Sequence, residues 1–147
     1  MKLRPVSVIL VGLIALAALG ISGCSSGEEH AESMSMLPEF AHDAPVTVQQ
    51  AYQFAIEHPD ILANHPCYCG CGAMGHLSNL NCYIREFNGD GTIVFDTHAI
   101  GCGICVDIAL DVKRLTDQGM SQPDIRAYID GKYSAFGPPT DTPFPQA

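Results

Sequence analysis

The chain has 147 residues, and its seven basic residues stand against 16 acids for a formal net charge of −9 and a pI near 4.8. That balance excludes nonspecific nucleic-acid binding and electrostatic docking on anionic lipid, both of which need clustered positive charge. With 47% hydrophobic residues, no Trp and seven Cys, the composition is that of a globular chain whose core is small and whose cysteines are its main chemical asset.

The first segment, Met1 to Pro5, carries Lys2 and Arg4, and Val6 to Gly20 is an uncharged apolar run that leads into Ile21-Ser22-Gly23-Cys24. A charged start, a short apolar stretch and small residues before a cleavage point mark a signal peptide. The run is shorter than the roughly 20 apolar residues of a stable bilayer span. Its ending resembles the bacterial lipobox. The resemblance implies cleavage after residue 23, acylation of Cys24 and anchoring of the mature chain to a membrane outside the cytoplasm. Two or more acyl chains on Cys24 give firm attachment. Loss of Lys2 and Arg4 with the signal moves the net charge from −9 to −11.

Residues 24–45 are polar, acidic and small, and read as a lipid-anchored flexible linker. His30, Met34, Met36 and His42 in that stretch are soft or imidazole donors, and equally ordinary linker residues. A folded domain is expected over 46–133. Thr47 is placed to cap a helix whose apolar positions are Val48, Ala51, Tyr52, Ala55 and Ile56, and Pro59 ends it. Asp60 to His65 reads as a turn or helical fragment, and Leu80 to Phe87 is ambiguous between helix and strand. Asn88-Gly-Asp-Gly predicts a turn before a short extended piece, Thr92 to Phe95. Gly101 to Gln118 predicts the longest helix, with Ile104, Ile108, Val112 and Leu115 as its apolar stripe and Gly119 as its stop. Ser121 with Asp124 forms a capping box for a last helix, Pro123 sits in its first turn, and Ile125, Tyr128 and Ile129 are its expected buried face. Residues 134–147 are proline-rich and expected to be irregular. The fold class is mainly α: a small cysteine-rich helical domain with a minor hairpin, of a size that benefits from staples.

With Cys24 assigned to lipid, six cysteines remain: Cys67, Cys69, Cys71, Cys82, Cys102 and Cys105. Side chains two apart on an extended segment share a face, so Cys67, Cys69 and Cys71 can present three sulfurs together. Gly70 and Gly72 leave room there and permit left-handed backbone. Cys102-Gly-Ile-Cys105 falls at a helix start, where the dipole and free N–H groups favour thiolate. His76 and His98 flank the cysteines as further donors, and Asp96 and Asp107 are candidates to orient an imidazole. His58 and His65 flank turns and are left out, and Tyr68 reads as packing.

Three roles fit this set. Soft-metal binding is favoured, since the thiols outnumber the ligands one zinc needs and suit Cu(I) or a multinuclear site. An iron–sulfur cluster ranks lower in an oxidising compartment. Thiol–disulfide exchange at Cys102 and Cys105 is the runner-up, although no βαβ context supports a thioredoxin-like fold. A disulfide scaffold comes third, because cysteines two apart pair only with strain. No Ser-His-Asp pattern, phosphate loop or His-Glu-x-x-His helix occurs, so hydrolytic chemistry has no support.

Pro66-Cys-Tyr-Cys-Gly-Cys71, with Gly75-His76, Cys82, His98 and Gly101-Cys-Gly-Ile-Cys105, resembles the bacterial family named for its PCYCGC motif, over roughly residues 47–133. Members of that family include lipoproteins, and some relatives carry selenocysteine within the motif. The resemblance therefore implies a reactive thiol and strengthens the redox alternative. It supplies no substrate and no metal.

Overall fold

Two amphipathic helices supply nearly half of the core. The computed structural model describes residues 36–146; the signal segment, Cys24, His30 and Met34 lie outside the described residues. Helix α1 spans Glu39–His42, α2 Val46–Glu57 and α3 Pro59–Leu62. Two 3-10 turns follow, Cys71–Met74 and Asn79–Cys82, and then strands β1, Ile84–Phe87, and β2, Ile93–Phe95. A third 3-10 turn, His98–Gly101, leads into α4, Gly103–Asp117, and α5, Gln122–Tyr133. The domain is mainly α, with one two-stranded antiparallel hairpin among the described residues.

Helix α2 buries Val48, Ala51, Tyr52 and Ala55, and α4 buries Cys105, Ile108, Ala109, Val112 and Leu115. Both sets repeat at the spacing that keeps side chains on one helical face, and α4 packs between α2 and α5. Helix α2 starts on Pro45 rather than on a Thr47 cap: the Pro45 carbonyl accepts from the N–H groups of Val48 and Gln49, and Thr47 falls inside the first turn. The chain leaves α2 at His58, and Pro59 opens α3 with its preset φ. Helix α4 ends at Gly119, whose φ of +75° lets its N–H and that of Met120 reach back to the Thr116 and Leu115 carbonyls. Ser121 caps α5 as expected, accepting from the Asp124 N–H.

Three details depart from the pattern reading. Tyr128 lies exposed between Arg114 and Lys132, and Tyr133 takes the buried position, its hydroxyl donating to Asp111. Leu80–Phe87 is both things in turn, a 3-10 turn through Cys82 and then strand β1. The packed region also reaches past 46–133 at both ends. Leu37 and Ala41 are buried, and Phe40 meets Tyr52 edge-on with ring centroids 5.7 Å apart. The proline-rich tail is irregular but docked: Arg126 donates to the carbonyls of Thr142 and Pro143, and Thr142 donates to that of Leu77.

His65, a residue outside the expected site, is completely buried; Nε2 lies 3.0 Å from Gln122 Oε1, and Nδ1 has no hydrogen-bond partner among the described residues. Burial lowers its pKa from the ordinary 6.5. The unfolded chain therefore takes up a proton near that value while the folded site resists it. Stability is fully present above pH 6.5 and falls as pH drops below it. Chemical denaturation of the reduced, metal-free protein between pH 7.5 and 5 is expected to give a falling midpoint, and His65→Gln a flatter profile.

Candidate metal centre

Three chain segments bring the sulfurs together, and each has a local device that aims them. In the first, Pro66 to Cys71, Gly70 adopts φ +86°, and the chain folds from a loop into the 3-10 turn that begins with Cys71. No atom lies within 4 Å of a Cβ built on Gly70, and Gly72 meets only Thr140 at 3.8 Å. The need at Gly70 is thus for left-handed backbone rather than for room. The proline-rich tail fixes this loop from outside. Thr140 Oγ1 accepts from the Cys67 N–H and the Thr140 N–H donates to the Cys67 carbonyl, each at 2.9 Å. Tyr68 points the other way and donates to Asp130 on α5, so it is a packing residue as expected.

The second segment places Cys82. Ser78 and Asn81 form a capping box that sets the 3-10 turn Asn79–Cys82, and Cys82 ends it fully buried. The third places Cys102 as the N-cap of α4 and Cys105 in its first turn. The Cys105 carbonyl accepts from Tyr83 Oη at 2.7 Å and from Asn79 Nδ2 at 3.2 Å, which ties the start of α4 to the segment carrying Cys82.

The result is one continuous sulfur cluster. Cys67 Sγ lies 3.3 Å from Cys105 Sγ and 3.4 Å from Cys69 Sγ, and Cys69 is 3.5 Å from Cys105. Cys102 and Cys105 are 3.0 Å apart, and Cys71 and Cys82 3.7 Å. His98 Nε2 stands 3.4 Å from Cys69 Sγ, and His76 Nδ1 3.5 Å from Cys82 Sγ. All six thiols are free, and the sets with ligand atoms mutually within 4.8 Å include Cys69, His98, Cys102 and Cys105 together, and Cys71, His76 and Cys82 together. Clustered cysteines and histidines positioned to hold a metal ion are therefore a property of this fold.

Asp96 organises the imidazole side. It is buried, its Oδ1 accepts from the His98 N–H at 2.7 Å, and its Oδ2 takes Arg85 Nε at 2.7 Å and faces His76 Nε2 at 3.8 Å. Burial pushes its carboxyl up, but the Arg85 guanidinium and the His98 N–H outweigh that and hold it below the usual carboxylate range. Asp107, the other expected orienting acid, is exposed: two positions from Cys105 on a helix, it faces away. Of the linker donors, Met36 is largely exposed and the His42 ring bonds the Leu37 carbonyl. His58 is exposed against Phe54.

The thiols do not titrate alike. The hydrogen bond with Cys105 pulls Cys67 down to about 7, and hydrogen bonds led by that from Cys105 lower Cys71 as well. Burial and the negative charge on Cys67 raise Cys69, and hydrogen bonding to Cys67 and Cys71 raises Cys105. A cleft of about 600 Å³ opens over the other side of the cluster, with His76, His98, Asp96, Arg85 and Met74 in its walls. The imidazoles face solvent through this cleft and the sulfurs lie behind them.

A family model described as a protein of unknown function with a PCYCGC motif matches residues 22–145. The chain belongs to that family. The match is wider than the core 47–133 and takes in the tail that clamps Cys67. No curated protein and no solved structure matches the chain.

Sequence reasoning missed Tyr83, Asn79 and Thr140, which hold the backbone of the ligand segments. Only Asn79, in a capping-box context, left a trace in the pattern. Geometry also sets an order of thiol reactivity. Cys102 and Cys69 are half-buried and the other four buried, but Cys69 is held as the thiol. Brief alkylation of the reduced, metal-free native protein is expected to label Cys102 first, by peptide mass mapping. Labelling of Cys82 or Cys105 ahead of it contradicts the packing.

Proposed function

We propose that the protein is a membrane-anchored extracytoplasmic lipoprotein that binds a thiophilic metal ion, Cu(I) ahead of Zn²⁺, as a carrier or scavenger. The observation that carries the reading is the convergence of six free thiols and two imidazoles on one buried cluster. The charged start, apolar run and Ile-Ser-Gly-Cys24 ending support lipid attachment at Cys24. A lipid tether and acidic linker would hold the domain close to the membrane face without electrostatic adhesion to it.

Soft thiolates select Cu(I) and Zn²⁺ over hard cations. Cu(I) leads because it accepts few donors. In a cluster whose sulfurs stand 3.0–3.7 Å apart, it can move between neighbouring thiolates by stepwise exchange. The cleft beside His76 and His98 is the route by which a metal-transfer partner would reach the ion. His76 would bind through Nδ1, with Asp96 facing Nε2, the carboxylate–histidine arrangement that raises ligand basicity.

The runner-up is thiol–disulfide exchange. It is favoured by one observation, the 3.0 Å between the Cys102 and Cys105 sulfurs at the N-terminus of α4. In that chemistry the two thiols would lose two electrons and two protons to a partner disulfide, which becomes two thiols.

The deciding experiment is elemental analysis of the full chain purified without oxygen, with thiols counted before and after chelation. Copper or zinc near whole-number stoichiometry is expected, with thiols that react only after chelation. Absence of metal together with a readily cycled Cys102–Cys105 pair would replace this reading with the redox one. Asp96→Asn is expected to weaken Cu(I) affinity about 10–100-fold, measured by chelator competition, because it removes the charge behind His76.

A further inference from the structure

One tetrahedral ion takes four protein ligands, and this cluster offers twice that in six thiols and two imidazoles. Their spacing divides them. On one side, Cys69 Sγ lies 3.4 Å from His98 Nε2 and 3.5 Å from Cys105 Sγ, and Cys102 Sγ is 3.0 Å from Cys105. On the other, Cys82 Sγ is 3.7 Å from Cys71 Sγ and 3.5 Å from His76 Nδ1. A tetrahedral ion with Zn–S near 2.3 Å and Zn–N of 2.0–2.1 Å spaces its ligand atoms roughly 3.5–3.8 Å apart. The separations in both halves, Cys102–Cys105 apart, are close to that spacing before any ion draws them in.

The second half is one ligand short, and Cys67 supplies it. Its sulfur lies within 4.8 Å of those of Cys71 and Cys82, in groups that also include Cys69 and Cys105. Cys67 therefore stands at the seam, completing one set while touching the other at 3.3 and 3.4 Å.

We propose that the centre is binuclear, with one ion held by Cys69, Cys102, Cys105 and His98 and the other by Cys67, Cys71, Cys82 and His76. The two shells have the same composition, three thiolates and one imidazole. The alternation in Cys67-Tyr-Cys-Gly-Cys71 deals successive cysteines to opposite shells: Cys67 and Cys71 to one, Cys69 to the other. Each shell draws its imidazole from the cleft wall, where the His76 and His98 rings meet edge-on with centroids 5.3 Å apart. Asp96 serves both, facing His76 Nε2 and bonding the His98 N–H. Both ions thus open onto one mouth. The proposal rests on the metal-binding reading above and adds the number of ions and the division of ligands.

Co²⁺ reports both quantities, since thiolate-to-cobalt absorption counts sulfur-bound ions and the visible bands report tetrahedral geometry. Anaerobic titration of the reduced full chain is expected to raise both linearly to two equivalents. His98→Ala and His76→Ala, which remove half-buried rings and leave the sulfur core intact, are each expected to leave one equivalent of unweakened tetrahedral cobalt. Circular dichroism verifies that each variant is folded. Saturation of the native chain at one equivalent overturns the binuclear centre and leaves the metal-binding reading standing. Loss of both equivalents in a folded single-histidine variant also overturns it. No sulfur-bound cobalt at all overturns both readings.

Discussion

Everything about the site depends on where α4 begins. The Cys105 carbonyl, in the first turn of that helix, accepts from Tyr83 Oη and Asn79 Nδ2 deep in the core. The carbonyl satisfies two buried side-chain donors at once, and a buried polar group left unmet costs about 1–3 kcal/mol. This knot joins the turn carrying Cys82 to the helix carrying Cys102 and Cys105. Tyr52 packs edge-on against Tyr83 with centroids 5.0 Å apart, and its hydroxyl bonds the Asp96 carbonyl. The same aromatic pair therefore sets the acid that governs the two imidazoles. Two tyrosines and an asparagine on the core side thus fix the helix start, Cys82 and Asp96, and the sulfurs follow.

A cluster of this kind poses an electrostatic problem that the fold only half answers. Protonated, buried thiols behave as small hydrophobes and pack at little cost. The hydrogen bonds among them, however, lower the pKa of Cys67 and Cys71, and a thiolate in a dehydrated interior is costly. The local relief is hydrogen bonding within the cluster itself, where Cys67 donates to Cys69 and Cys105 to Cys102. Among the described residues, no Lys or Arg forms an ion pair or hydrogen bond with a cysteine of the cluster. Arg85 lines the cleft, and it is engaged with Asp96. Binding of a metal ion to these side chains would couple directly to the stability of a small core.

The helices were legible because their information is local. Val48, Ala51, Tyr52 and Ala55, and Ile108, Val112 and Leu115, repeat at helical spacing, and Ser121 with Asp124 announces its own cap. Cys102 at a helix start was legible for the same reason. The failures share a cause as well. Tyr128 and Tyr133 are both compatible with the face of α5, and Asp111 on another helix decides between them by accepting from Tyr133. The strand pairing has a register irregularity between Ile84 and Glu86 that no alternation of side chains encodes. The docking of Thr140 onto Cys67 joins residues far apart in the chain, and a proline-rich tail gives no periodic signal of where it will lie.

The site residues show how far a motif can be read. Spacing alone grouped Cys67, Cys69 and Cys71, and their sulfurs do converge. The route differs from the extended strand that the spacing suggested, since Gly70 in the left-handed region turns the chain between Cys69 and Cys71. An extended triplet would present three sulfurs in a row to one ion. The turn instead lets Cys71 swing toward Cys82 while Cys69 faces His98 and Cys105. A residue with a Cβ resists that φ, so substituting Gly70 would disturb the division of ligands without removing a single donor. The glycine inside the hexapeptide is thus as much a determinant of the chemistry as the cysteines on either side of it.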